Sequence, residues 1–129
     1  MSDEKKIVIL GVDDDKTNMM LLERLIKMYP NVERFEKAYN GKEAIETIKD
    51  KGDINVVLLD VHMPEMNGIE FLKARQKDEV LNQIPIIMLT TDESKKNEAF
   101  DLGATDFLTK PITNKKLLHD KLDLMREIC

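Results

Sequence analysis

Five short runs rich in Val, Ile and Leu punctuate this chain: Ile7–Val12, Val32–Phe35, Ile54–Leu59, Ile84–Leu89 and Thr105–Leu108, with amphipathic segments between them. Such alternation reads as repeated βα units, in which each helix carries the chain back so that the next strand runs parallel to the last. The third and fourth runs are almost continuously apolar, as strands covered on both faces must be, and are expected at the centre of the sheet. The second carries Glu33 and Arg34 and is placed at an edge.

Between the runs, Met19, Leu22, Leu25, Ile26 and Tyr29 recur at helical spacing. Asp15 or Thr17 can cap this first helix, and Pro30 ends it by driving Tyr29 out of the α region. Asn40-Gly41 opens a second helix with Ala44, Ile45 and Ile48 on one stripe, and Lys51-Gly52 closes it. Asn67-Gly68 leads into a third with Ile69 and Leu72. The fourth is expected from Ser94 to Leu102, burying Ala99 and Leu102 and stopping at Gly103. Thr113 is the expected cap of the fifth, whose inner stripe is Leu118, Leu122 and Met125. Gly11, inside a strand, either weakens it or permits close packing. Right-handed crossovers and short loops then favour a flavodoxin-like, doubly wound α/β fold: a five-stranded parallel sheet in the order 2-1-3-4-5 with five helices.

At 129 residues the chain suits one domain, residues 1–129, which buries roughly two-thirds of its unfolded surface. A net charge of −5 with no lysine or arginine cluster argues against direct nucleic-acid binding. The single cysteine, Cys129, has no partner for an intramolecular disulfide, which fits a reducing compartment. The apolar run after Met1–Lys6 is too short for a signal peptide or membrane span, so a cytoplasmic protein without a membrane partner is expected.

In open α/β sheets ligands bind beyond the carboxyl ends of the strands. Here the first run ends in Val12-Asp13-Asp14-Asp15, the third in Leu59-Asp60, the fourth in Leu89-Thr90 and the fifth in Leu108-Thr109-Lys110-Pro111. An aspartate after a strand is usually a cap or turn former, but one cap needs one side chain. Asp15 is best placed for it, which leaves Asp13 and Asp14 unexplained. Alone, Thr90 is an ordinary β-branched strand residue and Lys110 a solvated lysine; together with three aspartates they make a constellation. Carboxylates about 4 Å apart at an effective dielectric near 20 repel by roughly 4 kcal/mol per pair, so a cation belongs among them. Mg²⁺ suits such oxygen donors and accepts phosphate oxygens as well. Its two charges and that of Lys110 balance Asp13, Asp14 and Asp60. A carboxylate nucleophile beside such a metal is arranged for aspartyl phosphate chemistry.

Val12-Asp13-Asp14, the segment Leu59-Asp60-Val61-His62-Met63-Pro64-Glu65-Met66-Asn67-Gly68, Leu89-Thr90 and Lys110-Pro111 resemble the response-regulator receiver family of two-component signalling. The resemblance covers essentially the whole chain. It implies that Asp60 takes a phosphoryl group from a sensor histidine kinase, a phosphotransfer protein or a small phosphodonor. Asp14 and Asp60 would ligate Mg²⁺ directly, Asp13 through water and His62 through its backbone carbonyl. Thr90 would donate a hydrogen bond to the phosphoryl group and Lys110 would pair with it. Phe107, in the first place a core aromatic, matches the position that turns inward when the threonine moves. The Lys110-Pro111 bond is expected to be cis.

His62 and Thr91 depart from the usual pattern: the His62 side chain is expected to face solvent, and the bulk of Thr91 to narrow access to the phosphate. His119 is expected to be solvated and the methionines to be pliable core filling. The implied activity is that of a signalling switch, which catalyses only its own phosphoryl transfer and dephosphorylation. Its output is a changed affinity for a partner or output domain through the face of the fourth helix, fifth strand and fifth helix, including Lys95, Lys96, Glu98 and Lys115. The same face suits a homodimer. A metal-dependent phosphatase with an aspartyl nucleophile is the enzymatic rival, but its relatives resemble Asp-x-Asp after the first strand, whereas Asp60 follows the third and His62 takes the second place. A phosphorylation-silent module is disfavoured by Asp60, Thr90 and Lys110. A flavin site lacks its hydroxyl- and glycine-rich loop after the first strand.

Overall fold

The computed structural model describes residues 5–63 and 65–128. Residues 1–4, Pro64 and Cys129 lie outside the described residues, and so do the expectations placed on them. The strands are β1 (Ile7–Val12), β2 (Val32–Ala38), β3 (Val56–Asp60), β4 (Ile86–Thr90) and β5 (Asp106–Thr109). The helices are α1 (Lys16–Lys27), α2 (Gly41–Lys51), α3 (Gly68–Gln76), α4 (Lys96–Asp101) and α5 (Lys115–Ile128). All strand pairs are parallel, in the order β2-β1-β3-β4-β5. The sheet is therefore the expected one, with β3 and β4 inside it and β2 at an edge.

Side chains alternate across the sheet, as the two-residue period of a strand requires. Val8, Leu10, Val12, Val57, Leu59, Ile86, Met88 and Phe107 belong to one apolar layer, with Ala44 and Ile48 of α2, Ile69 and Leu72 of α3, and Ala99 of α4. Ile7, Ile9, Val56, Leu58, Ile87, Leu89 and Leu108 belong to the other, with Leu22 and Ile26 of α1 and Leu118, Leu122 and Met125 of α5. Gly11 is explained by close approach: a Cβ there would lie 2.6 Å from the Phe35 ring and 3.2 Å from Leu22. On the edge strand, Arg34 pairs with Glu36 and Asp53. Charge along an open edge discourages pairing with another chain.

Three local expectations need correction. α5 is capped by Asn114, whose side chain accepts the Leu117 N–H at 3.0 Å, because the helix begins at Lys115 and Thr113 stands one residue too early. The fourth helix begins as a 3₁₀ turn, Glu93–Lys95, capped by Asp92, and Leu102 lies beyond its end and is only half-buried. His119 is not a free surface side chain: its Nε2 lies 2.9 Å from the Leu25 carbonyl and its ring packs against Tyr29, because α5 crosses the end of α1 there. β3, β4 and β5 also end one residue later than the apolar runs do, which makes Asp60, Thr90 and Thr109 their last residues.

Candidate phosphoryl-transfer site

The parallel sheet delivers the ends of β1, β3, β4 and β5 to one edge. Asp13 follows β1 and is buried, its N–H bonded to the Ala38 carbonyl at 3.2 Å. Its Oδ1 accepts the Asp15 N–H at 2.9 Å, and its Oδ2 accepts from Lys110 Nζ at 2.8 Å. Asp14 is exposed. Asp15 is the cap of α1, accepting the N–H groups of Thr17 and Asn18, so Asp13 and Asp14 are free of that duty. Asp60 ends β3 with 6% exposure. Carboxylate oxygens of Asp13, Asp14 and Asp60 all lie within 4.8 Å of one another.

Lys110 enters from the fifth strand, with its N–H on the Thr90 carbonyl at 2.9 Å and a cis bond to Pro111. Its Nζ sits 3.5 Å from Asp60 Oδ2, farther than from Asp13. Burial raises the Asp60 carboxyl above the usual range and the Asp13 charge adds to this, while Lys110 and the His62 N–H pull it back. Burial alone would lower Lys110, but the hydrogen bond to Asp13 and the charges of both aspartates hold it above the ordinary lysine value. Two buried carboxylates and one exposed one share a single lysine, so the local charge is negative. An all-oxygen donor set with surplus negative charge fits a hard divalent cation such as Mg²⁺.

Thr90 is fully buried, and its Oγ1 accepts the Asp92 N–H at 3.1 Å. Phe107 is turned inward at 8% exposure, so the unmodified chain already holds the orientation that the resemblance links to a moved threonine. The His62 side chain is 60% exposed but reaches across the mouth of the site, with Nε2 3.5 Å from Asp92 Oδ2. Asp92, which sequence reasoning passed over, thus touches Thr90 and His62 and caps the turn before α4. Its place two residues before Ser94 was the available signal, as an Asx turn. Thr91 lines a groove of about 440 Å³ between α1 and the β5–α5 turn, which reaches Lys110 and is otherwise mostly apolar, with Leu21, Leu25, Met28 and Ile112 in its walls.

The segment after Asp60 is fixed by close backbone contacts. Gly68 donates its N–H to the Val61 carbonyl at 2.9 Å, and a Cβ on it would lie 2.4 Å from the Asp60 carbonyl oxygen. Asn67 and Glu70 form a reciprocal capping box at the start of α3.

Comparison with known proteins agrees with this geometry. The family model for the response regulator receiver domain matches residues 9–122. Transcriptional regulatory protein CpxR of Escherichia coli K12 is 39% identical over 114 residues, covering 85% of this chain and 45% of that protein. Chemotaxis protein CheY1 of Helicobacter pylori is 32% identical over 119 residues, 91% of this chain and 94% of that one. The chain thus spans less than half the length of the first relative and nearly all of the second. The high-resolution structure of chemotaxis response regulator CheY4 of Vibrio cholerae superposes with a TM-score of 0.80 at 32% identity, covering 94% of this chain and 99% of that chain. With five parallel strands in the receiver order and the family model matched across most of its length, the chain belongs to the response regulator receiver family of two-component signalling.

Proposed function

We propose that this receiver domain, residues 1–129, is a phosphorylation switch whose acceptor is Asp60 and whose cofactor is Mg²⁺. The observation that carries the reading is the meeting of Asp13, Asp14, Asp60 and Lys110 at one sheet edge, with Asp60 and Asp13 buried and Asp14 open to solvent. An Asp60 carboxylate oxygen attacks the phosphorus of a phosphohistidine or small acyl phosphate. The bond from phosphorus to the donor breaks, and the donor atom leaves with the electron pair. Asp14, Asp60 and the His62 carbonyl would hold Mg²⁺ directly and Asp13 through water, and the ion would supply charge neutralisation for the incoming phosphoryl oxygens. Lys110 pairs with one of those oxygens, and Thr90, whose Oγ1 accepts from Asp92 but keeps its own proton, donates to another. Hydrolysis resets the switch, so the chain catalyses only its own phosphorylation and dephosphorylation.

A protein donor, either a sensor histidine kinase or a phosphotransfer protein, docks its apolar surface on the groove beside Lys110. Drawing Thr90 to the phosphate pulls on the Asp92 N–H and the turn before α4, and stabilises the inward Phe107. The face of α4, β5 and α5 carries the output, to a partner, an output domain or a second copy, with Lys95, Lys96, Glu98 and Lys115 on its surface. The cytoplasm is the proposed location, where a histidine kinase presents its phosphohistidine. Intact mass spectrometry after incubation with acetyl phosphate and Mg²⁺ tests the reading: wild type gains one phosphoryl group, and Asp60→Asn gains none. Full labelling of Asp60→Asn would overturn the assignment.

A further inference from the structure

Gly41 opens α2, on a different element from every residue of the site, yet it is in contact with the segment that follows Asp60. Its N–H donates to the Met66 carbonyl at 2.9 Å. A Cβ at this position would lie 2.6 Å from that carbonyl oxygen and 2.7 and 2.9 Å from the Met66 Cγ and Cβ. Positive φ does not explain the glycine, since among the described glycines only Gly52 and Gly103 have it; space does. The first N–H groups of a helix have no partner within it. In α2 the Asn40 side chain takes the Glu43 N–H, and the Met66 carbonyl takes that of Gly41.

The other end of this contact is a segment under backbone strain. Glu65 has φ 60°, the left-handed region, the one such non-glycine residue among those described. A conformation of that kind persists where its surroundings over-determine it. On one side Met66 is fastened to Gly41, and on the other Gly68 closes onto Val61. The second anchor lies against the acceptor itself: a Cβ on Gly68 would be 2.4 Å from the Asp60 carbonyl oxygen and 2.9 Å from the Val61 Cα.

We propose that Gly41 is a positioning residue for phosphoryl transfer: its N–H and its missing side chain hold Met66 and the left-handed Glu65 in place, and through Asn67 and Gly68 the backbone of Asp60 and Val61. The inference rests on Asp60 being the acceptor and deepens that reading. An added methyl group at position 41 pushes directly on a backbone carbonyl, which cannot swing aside as a side-chain tip can. The displacement passes through Asn67 to Gly68, which lies against the Asp60 carbonyl and is bonded to that of Val61.

The test compares wild type, Gly41→Ala, Gly41→Ala/Glu65→Gly and Gly41→Ala/Glu65→Gln. Mg²⁺ affinity is measured by calorimetry, the labelling rate with acetyl phosphate at saturating Mg²⁺, and the fold by circular dichroism. Gly41→Ala is expected to remain folded, to bind Mg²⁺ roughly tenfold more weakly and to label more slowly, as loss of a partner behind a metal ligand does. Glu65→Gly makes the left-handed conformation inexpensive again and recovers part of the loss. Glu65→Gln removes the same charge without relieving the backbone and recovers none. A purely structural glycine would lower the melting temperature and leave Mg²⁺ affinity and labelling rate at wild-type values, which overturns the proposal. In wild type alone, the Gly41 amide resonance should shift on Mg²⁺ saturation together with that of His62; a Gly41 amide that stays still while His62 moves also overturns it. Failure of wild type to label would instead remove the acceptor assignment on which the inference rests.

Discussion

Lys110 is held by Asp13 at 2.8 Å and stands off Asp60 at 3.5 Å. The closer partner is therefore not the proposed nucleophile. A charge-assisted bond to Asp13 parks the ammonium within reach of a phosphoryl group on Asp60 without covering the oxygen that must attack. Lys110→Ala should accordingly keep the fold and most Mg²⁺ affinity but slow phosphorylation or abolish its conformational readout. Losing a charged hydrogen-bond partner should lower metal-free stability by about 2 kcal/mol in urea titrations. Unchanged labelling, readout and stability would make Lys110 a bystander.

The acidic site should make metal-free stability depend on pH. Burial and the Asp13 charge raise the Asp60 carboxyl in the folded state. A carboxyl whose folded pKa is raised binds its proton more tightly when folded, so its contribution favours folding below the unfolded pKa and is lost as pH rises through the folded one. At neutral pH, with chelator, Asp60→Asn is therefore expected to melt higher than wild type and to show less loss of stability from mildly acidic to neutral pH. Mg²⁺ should reverse the order, because a ligand bound only by the folded state stabilises wild type by about 2.7 kcal/mol at a hundredfold excess over its dissociation constant. Melting curves at several pH values, with chelator and with Mg²⁺, check both halves. A lower chelator melting temperature for Asp60→Asn, with an undiminished gain from Mg²⁺, would contradict the acidic pocket.

The sheet order was legible because strand periodicity and the polarity of β2 are local properties, whereas contacts between distant segments were not. Apolar runs gave Leu59 and Leu89 as strand ends, but hydrogen-bond register carries β3 and β4 on through Asp60 and Thr90. The candidate site residues were read from their motif and from the rule that strand carboxyl ends gather at one edge. Their pairing was not: Lys110 bonding Asp13, or Asp92 bridging Thr90 and His62, depends on side-chain directions that spacing does not encode. Gly11 was read inside a strand and Gly41 at the opening of a helix, and only their neighbours, Phe35 and Met66, tell what each is for.

Arg75 is a buried cation that hydrogen-bonds to backbone carbonyls. From the last turn of α3 it donates to the carbonyls of Asn82, Ile84 and Gly103, tying the entry of β4 to the turn before β5. Burial lowers its pKa, yet an arginine stays charged at any ordinary pH. Arg75→Met fills similar space but leaves these carbonyls without their donor, and should cost about 2–3 kcal/mol in denaturant unfolding, the scale of hydrogen bonds to a charged group. Labelling of Asp60 should persist in the folded variant. A loss within the range of an ordinary surface substitution, about 0.5 kcal/mol, would show that the clasp contributes little.

The groove between α1 and the β5–α5 turn offers a way to separate docking from chemistry. Leu21, 52% exposed, stands in its wall with Leu25, Met28 and Ile112, and the groove reaches Lys110. A protein donor must rest on some surface near Asp60 to present its phosphohistidine, while acetyl phosphate needs only the reacting groups. Leu21→Asp sets a charge on this mostly apolar wall, three residues before Arg24, without replacing Asp13, Asp14, Asp60, Thr90 or Lys110. Burying that charge against a donor should cost at least about 1.4 kcal/mol, a tenfold loss of affinity. Phosphoryl transfer from a phosphorylated histidine phosphotransfer protein should thus slow about tenfold at low donor concentration, with the rate from acetyl phosphate unchanged. Raising the donor concentration should restore the rate, because the defect lies in binding. Equal slowing with both donors would trace the effect to the site itself, and wild-type rates with both would place the donor on another face.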